Sequence, residues 1–436
     1  GNPAVHYAPS EEARLAMYSM PLAALTSWNG LGRIPEPELR EVKRVADSLH
    51  RRGFKVRFWG NADTKTLWQS FIKIGVDYIN TDRPADLAAF LARRERWSYN
   101  DAARHAPYAP DYRSDGSAKS PRNVILLISD GAGLNHLWAA ATANGGDLNV
   151  TRFRHTGFLQ TNPFDDYNTD SAAAGTAIAS GSKTRNRYIG VDPSGRPLPS
   201  IAEHLAARGF ATGVVTNDNL TGATPAAFYA HVRERNQSDS IAADLLRSPL
   251  TLAVGGAPRA LARETSLDGF TLVRDAALLE TIPAGERAIC FDRDSGNLRV
   301  IEQAFDAAVK RLAAAPRGFF LMVEGARVDA GGHANDLALC IDEYLSFDRV
   351  AGKALQFADA DGRTLVIVTS DHETGGLIPI DGDYAAGYLL ADFATVDHTG
   401  APVPLLAYGP GAQHFTGFLQ NSDLFARIAK LLHANK

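Results

Sequence analysis

The chain has 436 residues, with 45 lysines and arginines against 49 aspartates and glutamates, so its formal net charge at pH 7 is −4. This composition, with 45% hydrophobic and 22% charged residues, is typical of globular domains that bury large cores without disulfides. No stretch approaches the ~18–20 uncharged apolar residues of a spanning helix, and the near-neutral charge lacks the basic footprint of a nucleic-acid-binding protein. We therefore expect neither a transmembrane segment nor a nucleic-acid partner.

The first hundred residues alternate between helical and strand-like patterns. The predicted elements are helices at 37–52, at 64–74 and from Pro84, and strands at 55–59 and 76–80. Segments 55–60 and 75–84 resemble the last strands and helices of a phospholipase-C-like or glycerophosphodiesterase (β/α)₈ barrel. Such a barrel needs about 250 residues, and the histidines and carboxylates that these enzymes place on earlier strands are missing. We expect residues 1–100 to be a non-catalytic fragment of this kind.

Residues 101–120 are polar, rich in proline and serine, and without periodicity, which predicts a linker before a second domain at 121–436. In that domain, apolar runs predict five buried strands of a parallel or mixed sheet. The runs begin at Asn123, Ala211, Phe319, Thr364 and Pro404. Helical patterns separate most of them, and the clearest has an apolar stripe from Leu337 to Leu355. The alternation predicts an open α/β sheet with helices on both faces.

Acidic residues follow three of these predicted strands. They are Asp130, Glu324 and Asp371. Ligands of open α/β sheets bind beyond the carboxyl ends of the strands. A single aspartate at such a position is usually a turn or cap residue, but three together indicate a site.

Histidines accompany the acids at spacings that suit a metal ion. Asp329 and His333 are separated by four positions with glycines between them, and Asp371 precedes His372 directly. His398 adds a third imidazole. Each histidine alone is as well explained by a surface or core position, but oxygen and nitrogen donors together form the mixture that Zn²⁺ accepts.

A candidate nucleophile lies at the start of a run of small residues. The run from Ser171 to Ser180, followed by Gly181, predicts a short helix with Ser171 at its N-terminus. There the free N–H groups and the positive end of the dipole favour an alkoxide or a phosphate oxygen. Asp170 and Ser171 are equally well explained as ordinary capping residues, and spacing alone leaves both interpretations open.

Taken in order, these motifs resemble the alkaline phosphatase family over residues of about 121–432. Segments 223–227 and 323–326 and the sequence His-Thr-Gly at His398 belong to the same pattern. The resemblance implies a three-layer αβα sandwich with a central, mostly parallel sheet. It also implies a phosphomonoesterase of small-molecule substrates, a periplasmic or secreted location, and an assembly compatible with a homodimer.

The resemblance assigns metal ligands to three sites. One Zn²⁺ would be held by Asp329, His333 and His398. A second Zn²⁺ would be held by Asp130, Asp371 and His372. A third site, usually Mg²⁺, would take oxygen ligands from Asp130, Thr224 and Glu324.

The resemblance also implies that Ser171 is the phosphorylated nucleophile and that Arg235 grips the phosphate, to which a planar guanidinium is suited. Two positions depart from the family pattern. Gly222 and Ala330 stand where many members place a side chain that shapes the third site and contacts phosphate. The span between His372 and His398 lacks the surface subdomain that other members often insert there, which favours an open site.

Two alternatives to a phosphomonoesterase remain. One is a phosphodiesterase of the same superfamily, although such enzymes usually use a threonine nucleophile. The other is a non-catalytic module that binds phosphate or a lipid head group, although degeneration normally erases metal ligands and all of them are present here. A sulfatase is disfavoured because Ser171 is not followed by the proline and arginine signature of that class.

Overall fold

The computed structural model describes residues 7–28, 30–101, 104–283, 285–292 and 300–433. The chain forms two compact units, one within residues 1–98 together with 380–382 and the other within residues 99–379 and 383–436. Across the described residues, every helix is too short or too polar to cross a membrane.

The first unit contains a parallel three-stranded sheet with β2 in the middle. Its elements are α1 (Pro9–Glu12), β1 (Met17–Pro21), a 3₁₀ turn (Leu22–Ala24), α2 (Glu36–Arg51), β2 (Lys55–Trp59), α3 (Lys65–Ile74), β3 (Tyr78–Ile79) and α4 (Pro84–Arg93). Strand β1, which has five residues and ends in proline, was not predicted from the sequence. The predicted strand at 76–80 was too long, because only Tyr78 and Ile79 pair with β2.

Fifteen more strands follow β3 among the described residues, and all their residues belong to the second unit except Ser98 of β4 and residues 380–382 of β14. They are β4 (Ser98–Asn100), β5 (Asn123–Ser129), β6 (His155–Gln160), β7 (Ala211–Asn219), β8 (Leu252–Gly256), β9 (Thr271–Val273), β10 (Ala288–Phe291), β11 (Phe319–Gly325), β12 (Thr364–Thr369), β13 (Glu373–Thr374), β14 (Leu377–Asp383), β15 (Tyr388–Phe393), β16 (His398–Thr399), β17 (Val403–Tyr408) and β18 (Gly417–Gln420). Ten of these strands form one sheet in the order β18-β6-β17-β12-β5-β11-β7-β8-β10-β9.

Helices of this unit alternate with the strands. They are α5 (Leu134–Ala143), α6 (Ser171–Ser180), α7 (Ile201–Ala206), α8 (Ala223–Ala226), α9 (Ser238–Arg247), α10 (Val300–Leu312), α11 (Val328–Ala334), α12 (Leu337–Asp361) and α13 (Asp423–His433). Shorter 3₁₀ turns lie at Val150–Arg152, Ala276–Thr281 and Ala412–His414.

The large sheet is mostly parallel, as predicted. Strands β12, β5, β11 and β7 are parallel neighbours, whereas β17 runs antiparallel to β12. All five apolar runs form strands of this sheet. The strands that the analysis missed, β6, β8, β9, β10 and β18, are short or interrupted by glycine and polar residues and lie towards its two sides.

Helices cover both faces of the sheet, as side-chain alternation along the strands requires. Val124, Leu126 and Ile128 of β5 share one core cluster with Ile178 of α6 and Ile428 of α13. Helices α10 and α12 contact each other and the strands β7, β5 and β12 on the opposite face. This arrangement is the predicted α/β architecture in three layers.

Residues 104–122 form no helix or strand, yet their side chains and backbone are fastened to the second unit. Nε2 of His105 lies 2.7 Å from Oδ2 of the fully buried Asp348. The hydroxyl of Tyr108 donates to Asp359 at 3.0 Å, and the backbone N–H of Tyr112 donates to the hydroxyl of Tyr408 at 3.0 Å. The segment is therefore packed along the second unit and held by specific polar contacts.

Candidate active site

Three buried carboxylates lie at the carboxyl ends of three neighbouring parallel strands. Asp130 follows β5, Glu324 is the last residue but one of β11, and Asp371 comes two residues after β12. The strand register pairs Ile128 of β5 with both Glu324 and Thr369, so the three strands end at the same level. The side chains of all three acids are almost inaccessible to solvent. The sheet itself therefore gathers the acids that the sequence analysis singled out.

Asp130, Asp371 and His372 form a buried cluster in which one donor atom from each lies within 4.8 Å of the others. Nε2 of His372 is 3.6 Å from Oδ1 of Asp130 and 3.2 Å from Oδ2 of Asp371. Both of these carboxylate oxygens are buried without a hydrogen-bond partner. Unpaired buried carboxylate oxygens are costly, and a cation held among them would offset that cost.

Asp329, His333 and His398 form a second cluster within the same 4.8 Å limit. Helix α11 places Asp329 and His333 one turn apart, with Nε2 of His333 3.4 Å from Oδ2 of Asp329. His398 comes from β16, which pairs with β13 directly after His372. Its Nε2 lies 3.5 Å from Oδ1 of Asp329 and 3.2 Å from Nε2 of His333. The pairing of β13 and β16 also stacks the rings of His372 and His398, with centroids 3.7 Å apart, and so joins the two clusters.

The hydrogen bonds at Nδ1 orient all three imidazoles. Nδ1 of His333 lies 2.7 Å from the carbonyl of Val396, and Nδ1 of His398 lies 2.7 Å from the carbonyl of Thr169. Nδ1 of His372 lies 3.2 Å from the hydroxyl of Thr374, which donates its own proton to Asp329 at 2.6 Å. A carbonyl or an already donating hydroxyl can only accept, so each Nδ1 carries the proton. The Nε2 lone pairs therefore face the clusters, as metal ligation requires.

Gly131 allows the two clusters to approach each other. Its backbone has φ of +76°, and a Cβ atom there would lie 2.5 Å from Cα of Asp329. The backbone N–H of Asp329 donates to the carbonyl of Asp130 at 3.0 Å across this contact. Any side chain at position 131 would separate Asp130 from Asp329 and strain the backbone.

Ser171 lies beside the buried cluster. It is the first residue of α6, and the N-cap residue Asp170 accepts a hydrogen bond from the N–H of Ala173 at 2.9 Å. Oγ of Ser171 is 3.2 Å from Nε2 of His372, and the side chain is buried. Asp170 therefore caps the helix, whereas the hydroxyl of Ser171 lies beside the cluster.

Arg235 is brought to the same helix end by Asp170. Its Nη1 donates to Oδ2 of Asp170 at 3.1 Å, and its backbone N–H donates to the carbonyl of Arg187 at 2.9 Å. The backbone N–H of Arg187 in turn donates to Oδ2 of Asp170 at 3.0 Å. Arg187, which the sequence analysis did not single out, has a left-handed backbone with φ of +73°. This turn fixes the backbone of Arg235, while the guanidinium of Arg235 stays partly exposed to solvent.

The residues expected at the third metal site also lie together. The hydroxyl of Thr224 donates to Oδ2 of Asp130 at 3.3 Å, and the hydroxyl of Thr216 donates to Oε2 of Glu324. The Thr224 hydroxyl also lowers the pKa of Glu324. Thr216 and Thr374 are site residues that sequence reasoning missed, because a threonine within or just after a strand has no distinguishing spacing. Ala330 contributes no side-chain polar group.

The raised pKa values of Asp130 and Glu324 show that ionised carboxylates are unfavourable in this cluster without a counter-charge. Burial first, and then the negative charge of Asp371, raises the pKa of Asp130 well above its ordinary value. Burial raises the pKa of Glu324 to about 8 against the hydrogen bonds from the two threonines. Burial also lowers the pKa of His372 to about 3, so this imidazole is neutral. Divalent cations would favour the ionised carboxylates and the neutral imidazoles together.

Comparison with known proteins gives consistent matches over the second unit. The family model for alkaline phosphatase matches residues 121–249 and 278–393. Alkaline phosphatase 4 of Bacillus subtilis is 32% identical over 413 residues, which cover 72% of this chain and 89% of that protein. Alkaline phosphatase of Escherichia coli is 30% identical over 406 residues, 72% of this chain and 86% of that protein.

Among solved structures, alkaline phosphatase from the Antarctic bacterium TAB5 is similar with a TM-score of 0.66 and 35% identity, covering 73% of this chain and 100% of that chain. Structures of two single-residue variants of that enzyme contain bound Mg. In the first unit, the model of the glycerophosphoryl diester phosphodiesterase family matches residues 55–85. The match supports the resemblance to such a barrel over that short stretch.

Metal binding should change the stability of the second unit in a way that depends on Asp371. For chelator-treated protein, Zn²⁺ at a hundredfold its dissociation constant should add about 3 kcal/mol to the free energy of unfolding. Asp371→Asn keeps the oxygen that accepts from the N–H groups of Gly131 and His372 but removes a charge. It should stabilise the metal-free protein and lose the part of the gain with Zn²⁺ that comes from the cluster of Asp130, Asp371 and His372, as measured by urea unfolding.

The matched control for this experiment is Asp306→Asn, since Asp306 is an exposed acid paired with Lys353. It should respond to Zn²⁺ like the parent protein. Equal gains with Zn²⁺ in the parent and in Asp371→Asn would contradict a metal site at Asp371.

Proposed function

Since the chain belongs to the alkaline phosphatase family of metal-dependent phosphatases, we propose that it hydrolyses phosphate monoesters through a phosphoserine on Ser171. The observation that carries this proposal is the position of Ser171. Its Oγ lies 3.2 Å from Nε2 of His372, at the N-terminus of α6 and beside a buried cluster of metal-ligand type. A serine at this position lies beside side chains of metal-ligand type and at the positive end of a helix dipole. Both features favour a hydroxyl oxygen that accepts a phosphoryl group.

The donor sets fit two zinc ions and one magnesium ion. The first zinc would be held by Asp329, His333 and His398, and the second by Asp130, Asp371 and His372. The magnesium would be held by the oxygens of Asp130, Thr224 and Glu324. The orphaned oxygens of Asp130 and Asp371 support this fit, as do the three Nε2 lone pairs that face the clusters. Bound divalent cations would lower the pKa of nearby oxygens and stabilise negative charge on attacking and leaving oxygens.

The protein groups around Ser171 would bind and orient the substrate. Oγ of Ser171 attacks phosphorus as the ester bond to the leaving alcohol breaks, and water later cleaves the phosphoserine. The free N–H groups at the start of α6 favour the negative charge that develops on Oγ and on the phosphoryl oxygens. Asp170 keeps this helix end intact through its hydrogen bond to Ala173.

Arg235 would clamp the phosphoryl group. Asp170 holds only Nη1 of the guanidinium, which leaves further N–H groups for two phosphate oxygens. The carboxylate of Asp170 thereby links the helix that presents Ser171 to the arginine that would orient the substrate.

Substrate class separates this proposal from its alternatives. We expect the metal-loaded protein to hydrolyse a chromogenic phosphomonoester well above a matched phosphodiester or sulfate ester, at alkaline pH. Chelation should abolish this activity and Zn²⁺ should restore it. A preference for the diester would favour the phosphodiesterase alternative, and absence of turnover in zinc-loaded protein would favour the binding module.

We also propose roles for the rest of the chain. Residues 1–100 would be a non-catalytic remnant of a diesterase barrel, residues 101–120 a connecting segment, and residues 121–436 the catalytic domain. The substrates would be small-molecule phosphate monoesters met in the periplasm or outside the cell, by a monomer or a homodimer. The similarity to the two bacterial alkaline phosphatases supports the catalytic domain, and the family match at residues 55–85 supports the barrel remnant.

Substitutions at Ser171 and Arg235 should differ in severity. Ser171→Ala removes the phosphoryl acceptor and should reduce turnover by roughly three orders of magnitude or more. Arg235→Ala removes a clamp and should cost about 10- to 100-fold in kcat/KM, as expected for lost charged hydrogen bonds. Steady-state kinetics with equal metal loading measures both effects.

The control for both variants is Arg263→Ala, an exposed arginine of the same unit, which should leave the kinetics unchanged. The assigned roles would be wrong if Arg235→Ala proved more damaging than Ser171→Ala.

A further inference from the structure

Glu234, the residue before Arg235, binds two groups on either side of the arginine that would clamp phosphate. Its carboxylate receives two hydrogen bonds from the guanidinium of Arg187, from Nε at 2.9 Å and from Nη2 at 2.5 Å. Its Oε1 also accepts from the backbone N–H of Asn236 at 3.1 Å. The Glu234 side chain therefore spans the backbone of Arg235 and ties it to Arg187 through a bidentate ion pair. The proposed catalytic roles involve neither member of this pair.

Arg187 has a backbone conformation that costs free energy for a residue with a side chain. Its φ of +73° lies in the left-handed region, which glycine adopts readily and most other residues adopt only where surrounding contacts require it. The backbone N–H of Arg187 donates to Asp170 at 3.0 Å, and its carbonyl accepts from the N–H of Arg235 at 2.9 Å. The ion pair with Glu234 fixes the side chain of the same residue. These contacts together hold Arg187 in its left-handed turn.

The turn at Arg187 and the guanidinium of Arg235 share one acceptor. Oδ2 of Asp170 accepts from the N–H of Arg187 at 3.0 Å and from Nη1 of Arg235 at 3.1 Å. If the turn relaxed, Asp170 would lose one donor and the backbone of Arg235 would lose its bond to the carbonyl of Arg187. The side chain of Arg235 is 30% exposed, so it would then sample more rotamers before an anion binds it.

We propose that the ion pair of Arg187 with Glu234 positions Arg235 for the phosphoryl group by holding the left-handed turn at Arg187. This inference rests on the proposed function, since it concerns the arginine that would clamp the substrate. Both side chains of the pair are partly exposed, and exposed ion pairs add little to the free energy of unfolding. The pair therefore acts on the orientation of Arg235 and hardly on the stability of the second unit.

The direction of the change in phosphate affinity distinguishes positioning from a direct effect of charge. Glu234→Gln keeps the length of the side chain and an oxygen that can accept from Asn236, but it removes a negative charge. By charge alone, the loss of an acid near an anion site should tighten phosphate binding. Positioning predicts weaker binding, because a less ordered Arg235 loses more conformational entropy when it binds phosphate.

Calorimetric titration of zinc-loaded protein with inorganic phosphate tests this inference without turnover. Glu234→Gln should bind phosphate about 2- to 10-fold more weakly than the parent, with zinc content and urea unfolding unchanged. In the Arg235→Ala background the same substitution should weaken binding no further, since its effect requires the guanidinium of Arg235. The control is Glu41→Gln, which removes the acid from another exposed bidentate pair, with Arg44. This control should bind phosphate as the parent does.

A second comparison tests the turn itself. Arg187→Gly and Arg187→Ala remove the same charge, but only glycine adopts the left-handed backbone without strain. We expect phosphate to bind more weakly to Arg187→Ala than to Arg187→Gly in the same titration. Equal affinities in these two variants would contradict a role for the turn.

The outcomes separate this inference from the proposed function. Phosphate binding to Glu234→Gln that is as tight as in the parent, or tighter, would overturn the role of the pair and leave the phosphatase proposal intact. An equal loss of affinity in the Arg235→Ala background would do the same. Absence of phosphate binding by the zinc-loaded parent would overturn both. A loss of affinity in Glu234→Gln that requires Arg235, in a protein that hydrolyses no phosphomonoester, would support the pair and contradict the proposed function.

Discussion

Mutual repulsion among buried carboxylates is the constraint on which the rest of this site depends. Asp130, Glu324 and Asp371 follow adjacent parallel strands and are hidden from water, so solvent cannot screen their charges. Buried acids must be protonated, paired or bound to a cation. The described side chains give them threonine hydroxyls and backbone N–H groups, but leave one oxygen each of Asp130 and Asp371 unpaired. A divalent cation meets this need better than a proton.

The surrounding structure is arranged to complement these acids. Helix α11, the turn after β12 and strand β16 bring three imidazoles to the same edge of the sheet, and carbonyls or a threonine hold each ring with Nε2 inward. The N-terminus of α6 adds its positive dipole end beside Ser171. Asp170 then links this helix end to Arg235. Hydrogen bonds outside the clusters therefore determine how the helix end at Ser171, the three imidazoles and Arg235 are oriented.

Sequence alone predicted the acids best, because apolar runs identify buried strands and the residues after parallel strands meet at one edge. The helix that begins at Ser171 was predictable from its small residues and the glycine that ends it. His398 was different, since its position depends on the two-residue pairing of β13 with β16. Residue type marked it as a third candidate imidazole, but only the family resemblance grouped it with Asp329 and His333. Thr216 and Thr374 donate hydrogen bonds to acids distant in sequence, and such contacts leave no periodic signal. The assigned ligand and catalytic roles remain predictions.

The central claim is that Ser171 itself receives the phosphoryl group. Zinc-loaded protein mixed with a phosphomonoester, quenched in acid within the first turnovers and digested for mass spectrometry, tests it most directly. We expect one added phosphoryl group on the peptide that contains Ser171, and none in the chelated protein. Rapid turnover with no phosphorylated peptide, or a phosphoryl group on a different residue, would contradict it.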